Sequence, residues 1–424
     1  MNIRKEVLKL AVPAIVTNVT TPLLSLADMA ITGHIGDAIY IGAIAVGGTL
    51  FNSLYWLFNF LRMGTGGLAA QAFGSGKGRD IVLWRSSLLA LVFGVLLILL
   101  STPLSDIALH FMDADRATQT LAARYFSICI WGAPAVLLTY VAMGWLVGMQ
   151  NTRTTMWTAI ATNLINIAVS ATFVFAFGWK IEGVAIGTLT AQWSGIIIAF
   201  SIIFLKYRPK LCPLSKVLQK NEIKRFLSIN TDIFLRTACI VAVTLWFTHV
   251  GAQTGAITLA ANALLLQLFM LMSFFLDGFA YAAEALAGKY DGAGNIRSLR
   301  VLINYLVQIG FYFAMGFAVG YSLCGKTILE LLTDNHNVIE LAMTYLPWAI
   351  AMPLCGFGAF VYDGILVGLT RTRIMLIAMA SAAVVFFALW LMLHGAMGNH
   401  ALWLAFDAYL LTRSLVEALR TRVI

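Results

Sequence analysis

Between residues 8 and 420 the chain is an almost continuous succession of apolar runs. A helix needs about 20 residues to cross the ~30 Å hydrocarbon layer of a bilayer. Runs of about that length or more fall at 8–33, 41–72, 81–105, 119–148, 153–178, 183–206, 223–248, 256–288, 298–322, 339–368, 374–394 and 399–420. Stretches such as Leu88 to Leu100 are apolar on every side, whereas the strands of a membrane barrel alternate polar and apolar residues in segments of about ten. The spans are therefore read as twelve helices. Residues are 60% hydrophobic and 11% charged, against about 45–50% and about 25% in soluble domains. That balance excludes a soluble fold, and it excludes disorder, which needs few apolar residues and much charge. The reading is an all-α integral membrane protein.

Lys and Arg accumulate in cytoplasmic loops, so their distribution sets orientation. With the N-terminus inside, 22 of the 28 fall on inner segments and only Arg116, Arg124, Lys180 and Lys326 on outer loops, with Arg62 and Arg236 in or beside spans. Both termini are expected in the cytoplasm, in a multi-pass protein of the cell (inner) membrane. The net charge of +9 thus serves topology, and no nucleic-acid partner is expected, because no soluble basic face exists to bind one. Arg4 and Lys5 before the first run imitate a signal peptide, but Asp28 within that run and eleven later spans argue for a retained helix. Five cysteines show neither disulfide nor metal spacing.

The longest interior polar segment, Lys206 to Arg225, carries seven basic residues with Pro209 and Pro213. It separates six spans from six, giving an N-terminal lobe 1–206, a basic linker 207–222 and a C-terminal lobe 223–424. The halves resemble each other: Leu68-Ala-Ala-Gln-Ala-Phe-Gly74 aligns with Tyr281-Ala-Ala-Glu-Ala-Leu-Ala287 at an offset of 213, and Gly144-Trp-Leu-Val-Gly-Met-Gln-Asn-Thr-Arg153 with Gly364-Ile-Leu-Val-Gly-Leu-Thr-Arg-Thr-Arg373 at 220. Six helices per half give both halves one orientation, and parallel repeats of this kind are a mark of transporters.

Charges inside a membrane cost at least ~2.5–3.5 kcal/mol and usually face a cavity. Asp28 stands in the outer half of the first span after Pro13 and Pro22, which free backbone carbonyls and permit bending. A lone carboxylate there suits a proton-coupled switch; hydrogen bonding to a neighbouring helix is the other reading. Asp232 and Arg236, four apart on one helical face, can neutralise each other. Asp277 and Glu284 share a face two turns apart, either toward a cavity or, for Glu284, at a loop anchor. Asp363 has no cation near it in sequence, Arg62 suits a structural pair, and Asp407 is read as a hydrogen-bonded residue of the bundle. Asn163, Asn166 and Ser170 recur at three and four on one face and need polar partners.

Gly74 to Arg79 imitates a phosphate loop, but the Walker pattern would need Gly where Gln71 stands and Ser or Thr where Gly78 stands. His34 with Asp37 and His110 with Asp113 offer an embedded transferase little more than turn residues. An enzyme is not expected, nor any cofactor beyond a coupling ion.

Taken in order, Pro13 with Thr21-Pro-Leu-Leu-Ser-Leu-Ala-Asp28 and Gly33-His-Ile-Gly36, then Asn230-Thr-Asp-Ile-Phe-Leu-Arg236, Ala282-Ala-Glu-Ala-Leu-Ala-Gly288 and Asp363-Gly-Ile-Leu-Val-Gly368 with Thr372-Arg373 resemble the multidrug and toxic compound extrusion (MATE) family, in its DinF branch. The resemblance spans essentially the whole chain. It implies two six-helix pseudo-symmetric lobes around a central cavity that opens alternately to either side, a coupling ion on Asp28, a first helix bending about Pro13, and a polar network completed by Asn166 and Thr188. Where many relatives carry an aspartate one turn after that asparagine, this chain has Ser170, a loss of charge that favours protons over sodium.

The expectation is a cation-coupled, proton in preference to sodium, antiporter exporting amphipathic or cationic small organic molecules as a monomer in the lipid bilayer. A flippase for a lipid-linked precursor ranks below it, since only Arg62 and Arg236 could hold phosphate, and a membrane-embedded transferase ranks below that.

Overall fold

A computed structural model describes residues 3–33, 38–110 and 116–421. Within them the side chains of Asp28, of several of its neighbours and of residues 106–110 lie outside the described residues, as do His34, Asp37 and Asp113 altogether. The apolar runs fold as helices, with breaks where the chain loses a backbone donor or tightens. In order they are α1 (Ile3–Gly33), α2 (Ala38–Leu57), α3 (Phe60–Ser75), α4 (Arg79–Leu99), α5 (Ser101–His110), α6 (Arg116–Cys129), α7 (Ala133–Gly148), α8 (Thr152–Ala171), α9 (Ile181–Tyr207), α10 (Leu214–Val217), α11 (Lys220–Gln253), α12 (Ala256–Gly292), α13 (Ile296–Leu332), α14 (His336–Gly368), α15 (Thr372–Met397) and α16 (Asn399–Thr421).

Three expected spans are therefore compound. The second is α2 and α3, divided where the Phe58 and Asn59 amides turn back to Tyr55 and Trp56. The third ends early: α4 stops at Leu99 and α5 restarts with Pro103 in its first turn, where the missing N–H costs nothing. The fourth passes from α6 through a 3₁₀ turn, Ile130–Gly132, into α7, whose second residue is Pro134. Conversely, α13 runs ten residues past its expected end at 322, and its extra turns carry an exposed Lys326–Glu330 pair at 3.7 Å. The pair four apart supports these added turns.

The described residues form two compact units, one of Val16–Leu227 and one of Met1–Ile15 with Ser228–Ile424. The boundary near 227 follows the basic linker, while the first turns of α1 pack with the later helices: Glu6 takes the Lys289 ammonium and the Tyr290 hydroxyl, each at 3.1 Å. Each unit has its own apolar core. Trp145, Phe126 and Leu137 lie in that of the first, and Phe247, Trp403 and Phe386 in that of the second. Outward faces stay oily, with Leu205, Leu323 and Val384 exposed by two thirds or more, which only lipid would cover.

The same helix crossing is built in both units, and it corrects the repeat register. In the first, Gly144 and Gly148 of α7 press on α3: a Cβ at Gly144 would run into the Arg62 carbonyl, and one at Gly148 would meet the Gly66 carbonyl, the Ala70 amide and the Ala69 methyl. In the second, Gly364 of α14 meets the Ala280 carbonyl of α12, and Gly368 meets the Glu284 carbonyl, the Gly288 amide and the Ala287 methyl. Atom for atom, 62, 66, 69 and 70 stand where 280, 284, 287 and 288 stand, so this helix repeats at an offset of 218 rather than 213. Gly76 and Gly294, also 218 apart, both turn the chain with positive φ, 70° and 67°. Alanine-rich strings align in several registers, whereas a backbone crossing tolerates one. The other match keeps its offset of 220, down to the turn: Gln150 and Thr370 hold φ of 63° and 54°, and the next amides, of Asn151 and Arg371, bond back five residues to Leu146 and Leu366 at 2.9 Å. Both turns are Schellman-type helix ends.

Candidate functional site

Within the unit Val16–Leu227, α8 and α9 approach closely because Gly187 of α9 has no side chain; a Cβ there would overlap the Ser170 hydroxyl and lie 2.7 Å from the Ser170 amide. The contact brings together three of the four expected ion-coupling residues. Asn166 Nδ2 donates to Thr188 Oγ1 at 3.3 Å, and Ser170 Oγ donates to Asn166 Oδ1 at 3.5 Å. Thr188 in turn donates to the Val184 carbonyl at 3.1 Å. Tyr125 of α6, which the sequence did not single out, places its hydroxyl 3.5 Å from Thr188 Oγ1. Ser170 is wholly buried and Asn166 nearly so, so each bond lies where an unmade one would be costly. Directly after Ser170 the helix widens into a π turn, Thr172–Ala176, a distortion frequent at functional sites.

Asn163, one turn earlier, reaches α1 instead, its Nδ2 donating to the Thr20 carbonyl at 3.3 Å. Asp28, the fourth residue, lies on the same helix, but its side chain falls outside the described residues. Helix α1 stays helical through Pro13 and Pro22. Arg62, which suited a structural pair, donates from Nε to Asn59 Oδ1 at 3.3 Å.

The other unit holds a buried charge cluster. Asp363 of α14 accepts, through Oδ2, from both Arg236 of α11 and Arg413 of α16. Arg413 also lies 3.6 Å from Glu417, one turn on, with its guanidinium 5.9 Å from the Phe360 ring centre. All four charged groups are at most 8% exposed. Desolvation makes such a cluster a poor source of stability unless it is fully paired. Arg236 thus turns to Asp363, while Asp232, expected to take it, accepts from the Thr372 hydroxyl at 3.1 Å and lies 3.6 Å from Arg373. Asp363, with no cation near it in sequence, has two from distant helices. Arg413 had been counted among the inner-loop charges; its burial inside an apolar run, with Glu417 four residues on, is the signal that could have placed it in the bundle. Asp407 departs furthest from expectation: it is 5% exposed, and neither carboxyl oxygen has a hydrogen-bond partner among the described residues. Asp277 accepts from the Ser273 hydroxyl at 3.3 Å. Glu284 is 2% exposed at the α12–α14 crossing, its carbonyl beneath Gly368.

Two units built on one repeated helix crossing, with small polar clusters sunk in apolar spans, have the pattern of a membrane transporter. The sequence model of the MatE family matches residues 13–172 and 233–391, segments that begin 220 residues apart. The chain is 36% identical over 415 residues to DNA damage-inducible protein F of Escherichia coli (strain K12), covering 97% of this chain and 90% of that one. It is 26% identical to the probable multidrug resistance protein NorM of Thermotoga maritima, over 80% of this chain and 74% of that one. Its fold matches a crystal structure of MATE in the bent conformation with a TM-score of 0.89 at 18% identity, covering 100% of this chain and 95% of the other. The chain belongs to the MatE family.

Proposed function

We propose that this transporter is a proton-coupled antiporter that exports amphipathic or cationic organic compounds across the inner membrane by alternating access, with both termini in the cytoplasm. The observation that carries the reading is the Ser170–Asn166–Thr188 chain of hydrogen bonds, whose neighbour Asn163 holds the Thr20 carbonyl of the helix bearing Asp28. A carboxyl group on that helix changes charge when a proton binds. A set of neutral amide and hydroxyl groups, which keep their charge at any pH, is suited to orient it in both forms. Discharging Asp28 from outside removes the cost of an ion within the bilayer, so α1 repacks and substrate leaves; loss of the proton to the inside resets the carrier. Ser170 in place of a second carboxylate leaves one titrating group, which suits a proton better than sodium, a cation that gains from several charged oxygens. Multidrug resistance in the name of the Thermotoga relative is consistent with organic substrates.

The test is efflux of a cationic dye from proteoliposomes under an imposed pH gradient. Asp28→Asn is expected to abolish gradient-driven transport, and Ser170→Ala to weaken it; transport by Asp28→Asn at the wild-type rate would refute the scheme. A flippase for phosphate-bearing lipids gains one more buried arginine in Arg413, but that residue and Arg236 both engage Asp363, so the cluster does not favour an anionic substrate.

A further inference from the structure

The segment joining α9 to α11 is far from a free tether. Three side chains of its own unit hold its backbone, and a fourth holds a side chain at its start. Arg85 of α4, only 6% exposed, donates from Nε to the Val217 carbonyl at 3.0 Å and from Nη2 to the Lys216 carbonyl at 3.2 Å, and pairs with Glu222 at 3.3 Å. Trp84 Nε1 donates to the Lys210 carbonyl at 3.0 Å, Asp80 accepts from the Lys210 amide at 3.2 Å, and Asn151 Nδ2 donates to the Tyr207 hydroxyl at 3.0 Å. Pro209 and Val217 point inward and are buried.

What this fixed segment turns outward is a mixture soluble loops avoid. Leu211, Leu214 and Leu218 are 84%, 63% and 48% exposed, with Leu214 and Leu218 one turn apart along α10 and on one face. Around them Lys206, Arg208, Lys210, Lys216, Lys220, Lys224 and Arg225 are all exposed. The one acid of the stretch, Glu222, is already paired with Arg85. Topology alone explains the lysines but gives no reason to hold leucines in water.

We propose that residues Lys206–Arg225 form a built-in docking surface for the anionic phospholipid headgroups of the membrane the protein itself spans, with Leu211, Leu214 and Leu218 entering the headgroup–acyl boundary and the lysines meeting lipid phosphates. Charge complementarity selects the occupant: seven exposed cations face a leaflet whose anionic lipids attract juxtamembrane basic residues, and apolar side chains beside them are what an interfacial segment buries. The surface is continuous with the lipid-facing end of α9, where Phe204 and Leu205 are exposed. The inference needs neither the proposed coupling ion nor the proposed substrate.

The test uses the full chain, purified and reconstituted in vesicles of phosphatidylcholine alone or mixed with phosphatidylglycerol, so that both leaflets carry the same lipid whatever the orientation. A spin label on Leu214→Cys, in a background with Cys212→Ser, should become shielded from aqueous quencher in the mixed vesicles. Native mass spectrometry should show phosphatidylglycerol retained in preference to phosphatidylcholine, with retention falling about tenfold or more in Lys210→Gln/Lys216→Gln/Lys220→Gln and in high salt. The charge control Arg116→Gln/Lys326→Gln should retain it as wild type does. Equal retention by the triple variant and wild type, a label equally exposed to water in both vesicles, or protection by inorganic phosphate as strong as by the lipid would overturn the proposal.

Discussion

Asp363 and Asp407 lie in the same unit, both at least nine-tenths buried, yet their surroundings predict opposite responses to one change. Asp363→Asn leaves Arg236 and Arg413 facing each other without their shared anion and should destabilise the protein by about 3–5 kcal/mol, the usual consequence of breaking a buried pair from one side. Asp407→Asn changes a carboxyl group that no hydrogen bond serves among the described residues and should leave stability unchanged or raise it, by up to about 1 kcal/mol. Denaturant or thermal unfolding of the detergent-solubilised variants checks both at once. Sequence could place each aspartate in a span, but the pairings join residues 127 and 50 positions apart, and no spacing rule reaches so far. Local periodicity did find the face shared by Asn166 and Ser170. It could not find Tyr125, a residue of another helix whose hydroxyl reaches Thr188 only after folding.

At the scale of the element, glycine placement decides how the helices meet. Gly148→Val and Gly368→Val each force a branched side chain into a backbone at a crossing, so each should cost about 1–3 kcal/mol or more, read as a lowered melting temperature. Thr370 tests the turn: a β-branched residue at φ 54° is strained, and Thr370→Gly, the residue this helix end prefers, should stabilise by a few tenths to about 1 kcal/mol. The sequence showed that α7 and α14 repeat, because Gly144 to Arg153 and Gly364 to Arg373 carry both the crossing glycines and the turn. The register of α3 on α12 was misread by five residues: alanines at 69, 70 and 72 match 282, 283 and 285 as readily in letters, and only the carbonyls beneath Gly148 and Gly368 tell the alignments apart. Helix breaks at Phe58 and after Leu99 were invisible for a related reason, since apolarity continues through them while backbone hydrogen bonding does not.

For the whole molecule, the apolar runs were legible from length alone, because a bilayer leaves the backbone few alternatives to the helix; ten helical spans among the described residues are long and apolar enough to cross one. Orientation rests on loop charge, so a fluorescent-protein fusion at either end should mature and fluoresce, whereas alkaline phosphatase fused at either end should be inactive. The proposed coupling reaction rests on one helix, α1. The measurement that bears on it most directly is substrate-induced proton release from the detergent-solubilised protein, followed in weakly buffered solution. A proton-coupled exchanger releases protons when substrate is added, in proportion to site occupancy, and Asp28→Asn should bind substrate and release none. Equal proton release from wild type and Asp28→Asn, or none from wild type at saturating substrate, would contradict the account.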